Sequence, residues 1–124
     1  SGGNMQKLVL GREIEAAPRL LVASQPTRGV DIGAAQGLRA SLRRLRDAGA
    51  AILLVSADLD ELVALSDRIA VLFEGRLVGH FQGGRTSPRQ LGLYMTGLAG
   101  DPGAQATLDA PFSDASAETA EARP

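Results

Sequence analysis

Two short, continuously apolar runs, Leu20-Leu21-Val22-Ala23 and Ala51-Ile52-Leu53-Leu54-Val55, set the tightest limit on what this chain can fold into. Each is strand-sized, and neither alternates apolar with polar residues, which is the pattern of a strand covered on both faces. Between them lies a segment in which Leu38, Leu42 and Leu45 form one stripe, with Arg39, Arg43, Arg44 and Arg46 largely elsewhere. That spacing predicts an amphipathic helix from Ile32 to Ala48, closed by Gly49. A buried strand, a helix and a second buried strand in that order predict an α/β layered domain with mainly parallel strands.

The flanking segments extend this pattern. Met5, Leu8, Val9 and Ile14 recur at spacings near three and four, predicting a helix from Asn4 to Ile14 with Asn4 near its N-cap and Pro18 beyond its end. Ser56 is a plausible N-cap for a helix reaching about Leu65, with Asp58, Asp60 and Glu61 in its first turn, where carboxylates suit the helix dipole. The runs 68–73 and 76–81 flank Glu74-Gly75 and predict a tight terminal hairpin, and Pro88 to Met95 predict one last helix. From Ala99 onward the chain carries five acids, one arginine and almost no large apolar residue, so a disordered acidic tail is expected over 99–124, with the body at 1–98.

Composition closes several function classes. The 124 residues carry a formal net charge of -1, which supplies no general field for nucleic acid or anionic lipid, so no nucleic-acid partner is expected. There is no cysteine, and His80 is the single histidine, which closes thiolate metal sites and any site needing two imidazoles. His80 sits beside Phe81 in an alternating run and reads as structural. The acids at 58, 60 and 61 read as helix charge compensation rather than a metal cluster, and the arginines of 39–46 as a solvated face. No apolar stretch approaches the roughly 20 residues that span a bilayer. The chain opens on Ser1-Gly2-Gly3-Asn4 with neither an initiator methionine nor a targeting pattern, so it is expected to be a fragment of a longer protein.

Ser1-Gly2-Gly3-Asn4-Met5-Gln6-Lys7 puts a hydroxyl and two glycines immediately before a helix, where backbone N–H groups and the positive dipole end favour phosphate. Taken alone, the same residues fit a glycine-rich turn that merely caps a helix. Three further segments follow in order. Leu20 to Thr27 form an apolar strand with a proline-threonine exit, and Arg28-Gly29-Val30-Asp31 comes next. Val55-Ser56-Ala57-Asp58 precedes Ser66-Asp67-Arg68-Ile69-Ala70-Val71 and Glu74-Gly75-Arg76. Together they resemble the C-terminal part of an ABC transporter ATPase domain, with the signature motif, the Walker B strand, the D-loop and the switch-histidine region in turn. The resemblance implies a partial P-loop NTPase core.

The resemblance also implies what is altered. In the family the Walker B strand ends in an aspartate that holds Mg²⁺ and a glutamate that polarises the attacking water; here Ser24 and Gln25 stand there. A serine hydroxyl brings no charge to a metal, and a glutamine amide orients a water without accepting its proton. Ala57 fills the switch-histidine position. The only lysine, Lys7, is not in a Gly-x-x-x-x-Gly-Lys-Ser/Thr phosphate loop. ATP with Mg²⁺ is therefore expected mainly on another ATPase half, packed head to tail, with Ser1, Gly2, Gly3 and Asn4 reaching the nucleotide in trans and Asp31 at the seam.

An intact signature beside degenerate positions Ser24, Gln25 and Ala57 fits the second ATPase domain of a tandem importer ATPase. Arg28-Gly29-Val30-Asp31 after Pro26-Thr27 resembles the simple-sugar importer branch of the family, and within it the stretches 23–29 and 55–62 most resemble nucleoside importer subunits. The partners so implied are the other ATPase half, membrane permease subunits and, indirectly, an extracytoplasmic substrate-binding lipoprotein, at the cytoplasmic face of the cell membrane. Two other readings stay open. One is an inactive remnant or regulatory interaction module without turnover. The other is an ABC ATPase of the DNA-repair or chromosome-organising kind, which the absence of sustained heptads and of a basic stripe does not support.

Overall fold

The computed structural model describes residues 2–99. The tail expected over 99–124 lies outside the described residues apart from Ala99, as does Ser1. The elements in order are α1 (Gly2–Glu15), β1 (Leu20–Ser24), α2 (Ile32–Asp47), β2 (Ala51–Val55), α3 (Leu59–Leu65), β3 (Arg68–Phe73), β4 (Arg76–Gln82) and α4 (Pro88–Met95).

The strands form two pairs. β1 and β2 run parallel, with Leu20 opposite Ala51 and Ser24 opposite Val55. Their connection is α2, the crossover that a parallel pair requires. β3 and β4 are antiparallel, with a bulge between Val71 and Leu72. Their turn is Glu74-Gly75, at φ of 48° and 76°, so both central residues are left-handed, as a two-residue hairpin of matching twist demands. Among the described residues the outer edge of β2 and the outer edge of β3 carry no strand partner. Between those elements opens a cavity of about 660 Å³, lined by side chains that include Leu54, Val55, Ile69, Val71 and Leu91.

Caps explain the helix boundaries. Asp31 caps α2 by accepting from the Ala34 N–H at 2.8 Å, and Ser87 caps α4 by accepting from the Gln90 N–H at 3.2 Å. At α3 the cap is Asp58, not Ser56: the Asp58 carboxylate accepts from the Glu61 N–H. Ser56 lies two residues upstream of that cap, and its hydroxyl accepts from the Asp58 N–H instead. Asn4 is not an N-cap either, because α1 already includes Gly2 and Gly3 and Asn4 stands inside its first turn.

The leucine stripe of α2 packs as its spacing predicts: Leu42 and Leu45 join Leu21 and Leu65 in one cluster, with Leu10, Ile14, Ile52 and Leu54 against it. A second cluster gathers Ile69, Val71 and the fully buried Leu91, with Phe81 and Tyr94 in an edge-to-face pair at 4.9 Å. The expected two-sided burial of the strands is not found. Leu21 and Ala23 point into the core, whereas Val22 and Leu53, paired across the ladder, are 61% and 56% exposed. Leu20 and Val55 share that open apolar face. α1 differs in the same way: Leu10 and Ile14 face the core, while Met5, Leu8 and Val9 are exposed.

Candidate functional site

The C-terminal ends of parallel strands sharing a crossover are where α/β folds collect their functional loops. Here β1 and β2 end side by side at Ser24 and Val55, so the loops that follow them start as neighbours. Gln25 turns sharply out of β1 at a φ of 48°, while its N–H still donates to the Val55 carbonyl at 2.7 Å. That left-handed turn aims its side chain across the gap. The Gln25 Oε1 accepts from the Ala57 N–H at 3.2 Å. Gln25 and Ala57, two positions expected from the sequence to be degenerate, thus touch directly, and Ser24, one residue earlier, is exposed on the same strand end.

The loop then closes through short turns. Arg28 N–H donates to the Gln25 carbonyl and Val30 N–H to the Thr27 carbonyl, both at 3.2 Å. Its far end is Asp31, exposed to solvent, with Oδ1 engaged in capping α2. Pro26 and Thr27 are buried.

Beneath both loops lies Glu61, whose place in the first turn of α3 reads in the sequence only as helix charge compensation. Glu61 is buried completely. Thr27 Oγ1 and Ser56 Oγ each donate to its carboxylate at 2.7 Å, and Arg39 Nε approaches it at 3.4 Å. Arg39 also pairs with the Asp58 carboxylate at 2.9 Å, so this arginine does not belong to the solvated face. A fully buried ionised carboxylate is tolerated only when paired and hydrogen-bonded, and here it has three donors from three other segments. Helical periodicity carries no signal for this, because it reports a face and not the depth of one polar side chain on it.

The local residues do not fit a Mg²⁺ ion. Ser24 and Gln25 bring no carboxylate to the strand end, Gln25 Oε1 is occupied by the Ala57 N–H, and the carboxylates of Glu61 and Asp31 are committed to Thr27, Ser56, Arg39 and the α2 cap. Among the described residues no group of three or more His, Cys, Asp or Glu could hold a metal ion. Gly2, Gly3 and Asn4 form the first turn of α1, on a different element from the Gln25–Ala57 pair, and Asn4 is exposed. The first N–H groups of a helix lack intrahelical partners, which leaves them able to bind an anion. No helix among the described residues is long and apolar enough to cross a membrane.

No family model matches the chain. Among curated proteins, it is 52% identical to the guanosine import ATP-binding protein NupO of Bacillus subtilis, over 78% of this chain and 19% of that protein. It is 50% identical to the glucose import ATP-binding protein TsgD13 of Haloferax volcanii, over 78% of this chain and 18% of that one. For the nucleoside import ATP-binding protein NupA of Lactococcus lactis the identity is 45%, over 78% and 19%. The chain therefore spans about one fifth of the length of the curated relatives it matches. Among solved structures, an ATP-binding subunit of an ABC transporter superposes with a TM-score of 0.68 at 24% identity, covering 77% of this chain and 44% of that one. A nucleotide-free ATP-binding cassette superposes at 0.62 and 23% identity, over 90% and 41%. The fold is that of an ABC ATPase.

Proposed function

From a chain with the ABC ATPase fold, related in sequence to sugar and nucleoside import ATP-binding proteins, we propose part of the ATP-binding subunit of an ABC importer for nucleosides or simple sugars. Its domain is 1–98, the C-terminal part of the second, degenerate ATPase domain of a tandem subunit, followed by an acidic tail over 99–124. It supplies the signature residues Ser1, Gly2, Gly3 and Asn4 to ATP and Mg²⁺ held mainly by the other ATPase half, with Asp31 at the seam.

The observation that carries this reading is the meeting of Gln25 with Ala57. Hydrolysis of ATP depends on placed charge and a base that can orient or deprotonate water. At this strand end the amide of Gln25 is bonded to the backbone of Ala57, neither position brings a carboxylate, and the Glu61 carboxylate beneath is taken by Thr27, Ser56 and Arg39, so the chain alone is not expected to hydrolyse ATP. What remains usable is the anion-binding start of α1, which acts on a phosphate gripped elsewhere. The subunit works at the cytoplasmic face of the cell membrane with permease subunits, fed by an extracytoplasmic substrate-binding lipoprotein. Closure around ATP drives transport through differential affinity for the nucleotide.

The experiment is ATP binding and turnover by the full-length protein with and without Ser1→Arg. Turnover falling by about 100-fold or more with ATP binding retained is the expected result, the scale of removing one preorganised anion donor. Unchanged turnover transfers the reading to the alternative, an inactive remnant or regulatory interaction module without turnover.

A further inference from the structure

We infer that Glu61 is a positioning residue: its buried carboxylate holds together the loops that leave β1 and β2, and so sets where the Gln25–Asp31 loop meets a partner half. The inference rests on the reading that this chain completes a partner's nucleotide site.

Four segments meet at this one side chain. Thr27 donates from the first loop and Ser56 from the second, Arg39 approaches from α2, and Glu61 itself belongs to α3. An ionised carboxylate only accepts, with room for about four hydrogen bonds, so it can take all three donors at once. No other residue type of that length does this. Glutamine would turn an NH₂ group toward one of the donors, and leucine would take the acceptor away from the Thr27 and Ser56 hydroxyls and leave Arg39 with Asp58 alone.

The grip on Thr27 matters beyond packing. Thr27 is the pivot of its loop: its carbonyl accepts from the Val30 N–H one residue before Asp31, and Gln25 lies two residues behind it. Ser56 plays the matching part in the other loop. Its hydroxyl donates to Glu61 and accepts from the Asp58 N–H, which fixes the backbone around Ala57. The Gln25 to Ala57 hydrogen bond at 3.2 Å is exposed and gains little by itself in water. Glu61, out of water beneath it, is the contact able to keep the two loops in register.

The test uses the full-length protein carrying Glu61→Gln, Thr27→Val and both together, with Ser1→Arg as a control. Amide hydrogen exchange is followed over 25–31 and 56–61, beside ATP turnover and the cooperativity of thermal unfolding. Expected for Glu61→Gln are exchange faster by about tenfold in both loops and kcat lower by about tenfold, the scale of one lost buried hydrogen bond. The KM for ATP stays within about twofold, because the nucleotide is gripped by the other half, and the double variant is no worse than the poorer single one. Should Glu61→Gln unfold without cooperativity, Thr27→Val, which leaves the carboxylate and Arg39 in place, carries the same readouts. Unchanged exchange in either loop overturns the inference. So does faster exchange with unchanged kcat in a protein where Ser1→Arg abolishes turnover. If Ser1→Arg itself leaves turnover unchanged, the in-trans reading fails instead, and the exchange result alone decides whether Glu61 holds the loops.

Discussion

A Cβ added at Gly83 would run into the carbonyl oxygen of Ser66, so the end of the β4 strand approaches the α3–β3 turn as closely as backbone allows. Gly83→Ala is therefore expected to destabilise by about 1–3 kcal/mol, the range of an overpacked site, read as a lower urea midpoint at unchanged slope. Leu91, which is fully buried between β3 and α3, makes the opposite case. Its truncation to alanine leaves a void worth about 2–5 kcal/mol by the same measurement. Gln25 tests the contact between the two strand ends. Gln25→Glu keeps an acceptor for the Ala57 N–H and Gln25→Leu removes it, yet because this bond is exposed both are expected to leave the unfolding free energy within about 0.5 kcal/mol. The order of motifs made positions 24, 25 and 57 legible in the sequence. Their mutual contact was not, because it depends on a left-handed turn at a non-glycine residue.

At the scale of elements, amphipathic spacing located α1 and α2, and cap, proline and turn residues located α3, α4 and the hairpin, the helices to within two residues and both hairpin strands to within one. What spacing does not report is which side of an element is covered. β1 and β2 are apolar on both faces, and only the face carrying Leu21, Ala23, Ile52 and Leu54 meets the core. In α1 the exposed Met5, Leu8 and Val9 are the larger part of the apolar set that marked it as a helix. The hairpin offers a clean element-level test. Glu74 sits at a φ of 48°, a conformation that costs a residue with a Cβ about 1 kcal/mol and that asparagine tolerates better. Glu74→Asn is expected to raise the unfolding free energy by about 0.5–1 kcal/mol, seen as a higher thermal midpoint.

At the scale of the molecule, two strand pairs face each other across a cavity of about 660 Å³, with one free ladder edge on each side of it. Free edges of that kind recruit strands from other molecules. The isolated 124-residue chain is expected to self-associate, giving a light-scattering mass above 12.8 kDa that grows with concentration. A monomer that unfolds cooperatively would contradict this. Leu53→Lys, on the open face, is expected to lower the association without disturbing the α2 cluster, as followed by the same scattering measurement. The α/β class and the parallel pair were legible from the alternation of elements, and the bare face was not, since spacing reports that a strand is apolar and not what packs against it. That bare face also bears on how the gene tolerates change. Val22 and Leu53 look like ordinary surface by their accessibility here, yet in a survey of all substitutions in the full-length protein they should reject polar replacements as strictly as Leu42 does. Arg44, exposed on the outer side of α2, should accept nearly anything.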